Sequence, residues 1–170
     1  MEKTIRETRQ MVIDQMLCNT IIPDGSLILE PSAGSGNLVE GILRINKNVT
    51  IHCSELNKEL REELINKGFT VIGNDFLKIE PNPIYDFVFA CPTYKNNVDI
   101  EHIIHMYEFV KPGGKLISLT YPLWVMNNGK KQVEFRKWLE DKHYGLRMLE
   151  DNSFVENYTT QPSMVIILLK

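Results

Sequence analysis

Three acids and two glycines carry the chemistry this sequence offers. Glu30 closes a short apolar run, Leu27-Ile28-Leu29, and is followed by Pro31-Ser32-Ala33-Gly34-Ser35-Gly36. Glycines at such a turn let a ligand approach the backbone where a Cβ would collide. Apolar residues at Leu38, Val39, Ile42 and Leu43 then fit one face of a helix. Strand, glycine-rich turn and helix open a Rossmann-type βαβ unit, whose ligand lies at the carboxyl end of the strand. The dinucleotide pattern asks for Gly or Ala three residues after the second glycine, and that position is Val39. A carboxylate at the strand tip also repels a pyrophosphate. It suits a ligand carrying positive charge, such as an amino group beside a sulfonium.

Two further acids follow at strand ends. Residues 49–53 form a β-prone run that ends at Ser54-Glu55, and Glu55 lies 21 residues after Gly34. That spacing is close to the one at which an acid after the second strand reaches a ribose diol. A carboxylate accepts both hydroxyl protons in charge-assisted hydrogen bonds. The other reading of Glu55 is a surface acid opening the helix expected over 57–67, where the helix dipole favours it. His52, inside the run, reads as a packed side chain. A third strand over 69–72 leads into Gly73-Asn74-Asp75-Phe76-Leu77.

The motif E-P-S-A-G-S-G resembles the cofactor motif of class I S-adenosylmethionine-dependent methyltransferases, and its E-P form is most like the N6-adenine amino-methyltransferase branch. The resemblance implies a cofactor-binding set of Glu30, Pro31, Ala33, Gly34, Gly36, Glu55, Leu56, Asp75 and Phe76 for S-adenosyl-L-methionine. In that family an Asp-Phe pair after the third strand reads the adenine: the acid accepts from the exocyclic amine and the aromatic covers the ring. The alternative for Phe76 is an anchor that ties the turn to the core.

A strand over 85–90 runs into Cys91-Pro92-Thr93-Tyr94. Amino-methyltransferases carry Asp, Asn or Ser there, then Pro-Pro and an aromatic. The first side chain and a proline carbonyl accept from the target amine while the ring stacks on the base. The resemblance therefore names Cys91, Pro92 and Tyr94 as the catalytic set, with alignment of the amine supplying the rate. Cys91 and Thr93 depart from the pattern. A thiol is a weak acceptor, and Thr93 frees the φ that a second proline would fix. Cys91 is nearest in shape to the Ser form. A nucleophilic Cys91 is disfavoured, because cytosine-carbon methylation uses the reverse order, Pro-Cys.

The elements that must position these residues are legible from periodicity. Residues 3–20 read as an amphipathic helix with Ile5, Met11, Val12, Gln15, Met16 and Cys18 on one face, closed by Pro23-Asp24-Gly25. A helix over 99–110 carries a core stripe of Ile100, Ile103, Ile104, Tyr107 and Val110, with His102 and His105 as solvated or rim residues. Lys111-Pro112-Gly113-Gly114 ends it ahead of a strand over 115–120. Residues 121–131 read as a loop long enough to cover a substrate mouth. A helix over 133–142 turns Phe135, Trp138 and Leu139 inward, and strands over 145–149 and 164–169 follow, joined by a loop holding Phe154, Tyr158 and Pro162. The fold class is α/β: a Rossmann-like seven-stranded sheet, mostly parallel with an antiparallel last strand, helices on both faces. One domain is expected over 1–170, with 1–25 as leading helix and turn and 26–170 as core.

Composition narrows the setting. The chain has 170 residues, 43% hydrophobic and 24% charged, ordinary for a globular protein. Neither a membrane span nor an export signal is evident, so a cytoplasmic protein is expected. Cys18, Cys53 and Cys91 are widely spaced and form no zinc or disulfide pattern, so no metal is expected. Lys and Arg number 19 against 22 acids, net −3, which is not the footprint of a protein that grips phosphates everywhere. Between Lys111 and Arg147, eight basic residues (Lys111, Lys115, Lys130, Lys131, Arg136, Lys137, Lys142 and Arg147) face three acids, a local +5. A solvated surface explains this as well as phosphate contact does.

Two functions remain open. One is methyl transfer to an exocyclic amine of DNA or RNA, adenine N6 favoured; a protein or small-molecule acceptor is its variant. The other is a cofactor-binding but non-catalytic partner of an active methyltransferase. Sequence-specific DNA enzymes of the resembled kind usually add a target-recognition region. None is left here once the fold is built, so loose recognition or a protein partner is expected.

Overall fold

The computed structural model describes residues 10–92, 98–149, 154–156, 159–161 and 164–170. The expected helical residue Ile5, Thr93, Tyr94, Tyr158 and Pro162 lie outside these. Chain order is α1 (Gln10–Leu17), β1 (Leu27–Glu30), α2 (Asn37–Ile45), β2 (Thr50–Ser54), α3 (Lys58–Asn66), β3 (Thr70–Gly73), a 3-10 turn (Phe76–Lys78) and β4 (Tyr85–Ala90). Then come α4 (Val98–Phe109), β5 (Val110–Thr120), α5 (Leu123–Met126), α6 (Lys130–Leu139), β6 (His143–Met148), β7 (Phe154–Glu156), β8 (Thr159–Gln161) and β9 (Met164–Leu169).

Seven strands make one sheet in the order β3-β2-β1-β4-β5-β9-β6. β9 runs antiparallel to both β5 and β6, and the other pairings are parallel. Successive strand residues point to opposite faces, so an apolar pair on each central strand feeds two cores. Ile28, Phe89, Ile117 and Val165 pack with Val12, Met16, Ile42 and Leu64 of the first three helices. Leu29, Val88, Leu116 and Ile166 pack with Ile103, Phe109, Phe135 and Leu139 of α4 and α6. Strand order reverses between β1 and β4, and a crevice opens at their carboxyl ends, where ligands of such sheets lie. No helix among the described residues is long and apolar enough to cross a membrane.

Several local expectations need correction. The buried face of α1 is Val12, Ile13, Met16 and Leu17, while Met11 and Cys18 are exposed. The reason is Gly41 of α2. A Cβ built there would come within 2.5 Å of Ile13 Cγ2, so the glycine lets α1 sit close and Ile13 and Leu17 turn toward it. Val110 begins β5 instead of ending α4, and Met106 and Phe109 complete the buried stripe. α6 starts three residues before expectation, and residues 121–131 contain α5. The last connection holds the β7–β8 hairpin, which gives its backbone groups partners.

The 121–131 segment is anchored, not loose. The Trp124 Nε1–H donates to Thr120 Oγ1 (2.9 Å), and the Thr120 hydroxyl donates to Asp99 Oδ2 (2.9 Å). The Tyr121 N–H adds to the same oxygen at 3.3 Å. Arg136 reaches the carbonyls of Trp124 and Asn127. Burial pushes the Asp99 carboxyl up, against the hydrogen bonds from Thr120 and Tyr121. Thr120→Val should therefore destabilise the protein by about 1–3 kcal/mol in denaturant unfolding, because it leaves a buried indole N–H without an acceptor.

Candidate functional site

The site is built from the tip of β1 outward. Glu30 is 1% exposed. One of its oxygens accepts from the Val39 N–H, one of the three amides that the start of α2 leaves without a helical partner. Oε2 has no hydrogen-bond partner among the described residues. Burial pushes the Glu30 carboxyl well up, the Val39 N–H opposes it, and the charge of Glu55 adds to it. Burial and the Glu30 charge likewise push up the Cys53 thiol. Burial thus favours the neutral form of this carboxyl, and an approaching cation favours the charged one.

The turn after it is stapled to β2. Ala33 N–H donates to Ser54 O (3.0 Å), Ser54 Oγ–H to Pro31 O (2.7 Å), and Gly34 N–H to Glu55 Oε2 (2.8 Å). Glu55 Oε1 accepts from Asn57 N–H at 2.7 Å. Two of the four lone-pair directions of Glu55 are thus used, and two remain, which matches a diol. The helix-start reading of Glu55 is partly met as well, since it bonds Asn57, but the cap of α3 is the Asn57 side chain. Lys67 secures the far side, donating to Ser35 O at 2.7 Å and pairing with Glu40 and Glu63.

The two glycines differ. Gly34 has φ +55 and a Cβ there would meet nothing within 4 Å. Gly36 has φ +91, and its Cβ would lie 2.9 Å from Phe69 Cε2 and 3.0 Å from Leu64 Cδ2. Gly36 is therefore required by packing on α3, and Gly34 borders open space. Leu56, beside Glu55, is 71% exposed and offers an apolar wall.

Asp75 precedes the 3-10 turn and pairs with Lys78 (2.9 Å), whose ammonium holds the carboxyl below the usual range. Lys78 is largely exposed, so this pair is weak and yields readily to a competitor. Phe76 is buried against His105, Phe109 and His102, with centroids 4.9, 5.0 and 5.7 Å away. His102 and His105 are half-buried rim residues, as expected, and both have partners: His105 Nε2 lies 3.2 Å from Phe76 O and 3.1 Å from Ile79 O. His52 packs as expected, bonded to Tyr85 Oη at 3.0 Å. Ser54, Lys67 and the two histidines were missed as site supports. Their only signal was position: Ser54 adjoins Glu55, and the histidines share a helix face three residues apart.

At the end of β4, Cys91 is half-buried and Pro92 buried, while Tyr94 lies outside the described residues. The basic cluster is dispersed. Lys111 pairs with Asp86, Lys131 with Glu101 (2.6 Å), and Lys130 with Glu134 (3.9 Å). Arg147 donates to carbonyls at the end of α1. Among the described residues no group of His, Cys, Asp and Glu converges to hold a metal ion.

No family model matches the chain, and no curated protein matches it. Solved structures do. The methyltransferase subunit of a type I restriction-modification system from Streptococcus thermophilus is similar with TM-score 0.75 at 18% identity, covering 96% of this chain and 44% of its own. A precorrin-6y C5,15-methyltransferase from Geobacter metallireducens gives TM-score 0.68 at 18% identity, over 99% of this chain and 92% of its own. A coclaurine N-methyltransferase bound to N-methylheliamine and SAH gives 0.68 at 11% identity, over 94% and 70%. The chain spans less than half the length of the Streptococcus structure. At these identities the likeness is one of fold, the Rossmann-like sheet of class I methyltransferases.

Two outcomes follow for stability. Gly34→Ala should cost about 1 kcal/mol for its left-handed backbone, and Gly36→Ala about 2–4 kcal/mol because overpacking adds to it; chemical denaturation ranks them. Glu30 has its folded pKa above its unfolded one, so its contribution is fully present below the unfolded pKa and lost as pH rises through the folded value. In melts across rising pH without ligand, Glu30→Gln should gain steadily on the native protein.

Proposed function

We propose that the chain is an S-adenosylmethionine-dependent methyltransferase whose acceptor is an exocyclic amine of DNA or RNA, with adenine N6 the favoured target. The observation that carries this reading is Glu30: a buried carboxyl with an unpartnered oxygen, at the strand tip where the sheet order reverses. Such a group fits a cationic ligand, and the surrounding residues fit the rest of this one. Glu30 would take the amino group, Glu55 the ribose diol, and Asp75 the adenine amine. Leu56 would supply an apolar wall, the buried Phe76 anchors the Asp75 turn to the core, and the open space at Gly34 would admit the ligand against the backbone. Pro31 and Ala33 set the turn.

When bound, S-adenosylmethionine supplies a methyl group on a sulfonium, open to attack by an amine. The chain's own part is to hold that amine. Cys91 and the Pro92 carbonyl would accept hydrogen bonds from it and Tyr94 would stack on the base, leaving the nitrogen lone pair directed at the methyl group, with the amine's proton passing to solvent after transfer. Stacking of a base on an aromatic contributes about 1–3 kcal/mol, and it requires a base that is unpaired or flipped out. Flexible or single-stranded substrates should therefore be preferred. The dispersed lysines favour local contact over a broad phosphate grip.

A second reading keeps the cofactor and drops the catalysis. It is favoured by Cys91, whose thiol holds an amine less firmly than Asn, Asp or Ser would. One structure of similar fold is a subunit of a restriction-modification system, which supports a partner for this chain.

Methyl incorporation from labelled cofactor into DNA, RNA and protein fractions separates the two. Transfer to nucleic acid is expected, with Tyr94→Ala lowering it while leaving cofactor affinity unchanged, and Cys91→Asn raising turnover. Absence of transfer to every fraction, with cofactor binding intact and no gain from Cys91→Asn combined with Thr93→Pro, would favour the non-catalytic reading.

A further inference from the structure

The turn that carries Asp75 and Phe76 has little internal support. It is a single 3-10 turn, closed by Lys78 N–H to Asp75 O and Ile79 N–H to Phe76 O, each at 3.0 Å. The Asp75–Lys78 pair and the bond from Asp75 N–H to Asn74 Oδ1 add to it, and α4 supplies a further anchor. His105 Nε2 lies within hydrogen-bond distance of the carbonyls of Phe76 and Ile79, the first residue of the turn and the residue that follows it. Two carbonyls can only accept, so Nε2 carries the proton and donates to both. The same ring meets Phe76 edge-on at 4.9 Å and Phe109 at 5.2 Å, which fixes its plane.

One turn earlier on the same helix face, His102 reaches the other wall of the crevice. Its ring lies 5.7 Å from Phe76, and its Nδ1 lies 3.4 Å from Ser32 Oγ, in the loop after β1. α4 thus touches both the loop that follows Glu30 and the turn that follows Asp75. A rigid helix spanning two loops sets the distance between them.

We propose that His105, assisted by His102, is a positioning residue that holds the Asp75 carboxylate in register to read a 6-aminopurine, on a turn that the buried Phe76 ring anchors. The inference rests on the cofactor reading above and deepens it: it assigns the selectivity for the exocyclic amine to a side chain that does not touch the base. Without the two bonds from His105, the turn keeps its sequence but not its placement, and Asp75 falls back on its exposed partner Lys78.

The test compares binding of S-adenosylhomocysteine with S-inosylhomocysteine, in which an oxo group replaces the 6-amino group. The native protein should prefer the adenosyl compound by about tenfold or more, since the loss of a hydrogen bond to a carboxylate is of that size. His105→Phe keeps the ring contacts and removes the N–H, and its preference should fall toward one. His105→Gln restores a donor and should recover most of the preference. If His105→Phe does not fold, His105→Asn, whose shorter amide falls short of the carbonyls, carries the same expectation. A role confined to stability would weaken both ligands together and leave their ratio unchanged, and an unchanged ratio in a folded variant overturns the proposal. A native protein that binds both compounds equally also overturns it. A native protein that binds neither overturns the cofactor reading itself.

Discussion

A buried carboxyl group with one oxygen unbonded among the described residues is the constraint on which this molecule turns. Glu30 ends β1 at 1% exposure with Oε2 unbonded among the described residues. Ionised, it would stand uncompensated in a low-dielectric interior, which is among the more destabilising things a folded chain can hold. Burial favours its neutral form, and one oxygen caps the start of α2 through the Val39 N–H. An apolar residue at the strand tip would stabilise the fold more. Strain of this kind at the carboxyl end of a central strand is the mark of a site whose ligand brings the missing charge.

Everything around that carboxyl holds two walls apart. On one side, Ser54 and Glu55 at the end of β2 fasten the glycine turn through three bonds, and Lys67 ties its outer edge. On the other, His105 of α4 bonds the Asp75 turn while His102 reaches Ser32 in the loop after β1. The sheet supplies the spacing: β1, β2 and β3 are in parallel register, so the three acids issue from neighbouring strand ends. Loops so short, each bonded to a rigid element, leave a ligand little reorganisation to bring about.

The central part of this arrangement was legible in the sequence because it is local. A strand, two glycines at positive φ and a helix are written in consecutive residues, and Glu55 follows at a spacing set by one βαβ unit. The rest depends on neighbours that no window of sequence contains. The face of α1 was misread because Gly41, nearly thirty residues downstream of Ile13, decides which side can approach. His102 and His105 sit at the rim as their sequence suggests, but their partners, Ser32, Phe76 and Ile79, lie on other elements and leave no local signal. Gly36 was read as a clearance for ligand, yet its close neighbours are Phe69 and Leu64. The basic run from Lys111 to Arg147 looked like a patch in one dimension, and folding distributes it among Asp86, Glu101, Glu134 and the end of α1.

The claim at the centre is that the Glu30 carboxyl receives the cationic end of the cofactor. Calorimetric titration of S-adenosylhomocysteine into the native protein and into Glu30→Gln tests it directly. The amide keeps the shape and the acceptor for Val39 but cannot take a charge. The account predicts that Glu30→Gln melts at or above the native temperature at neutral pH and binds at least about tenfold more weakly. Equal affinity in the two proteins would contradict it.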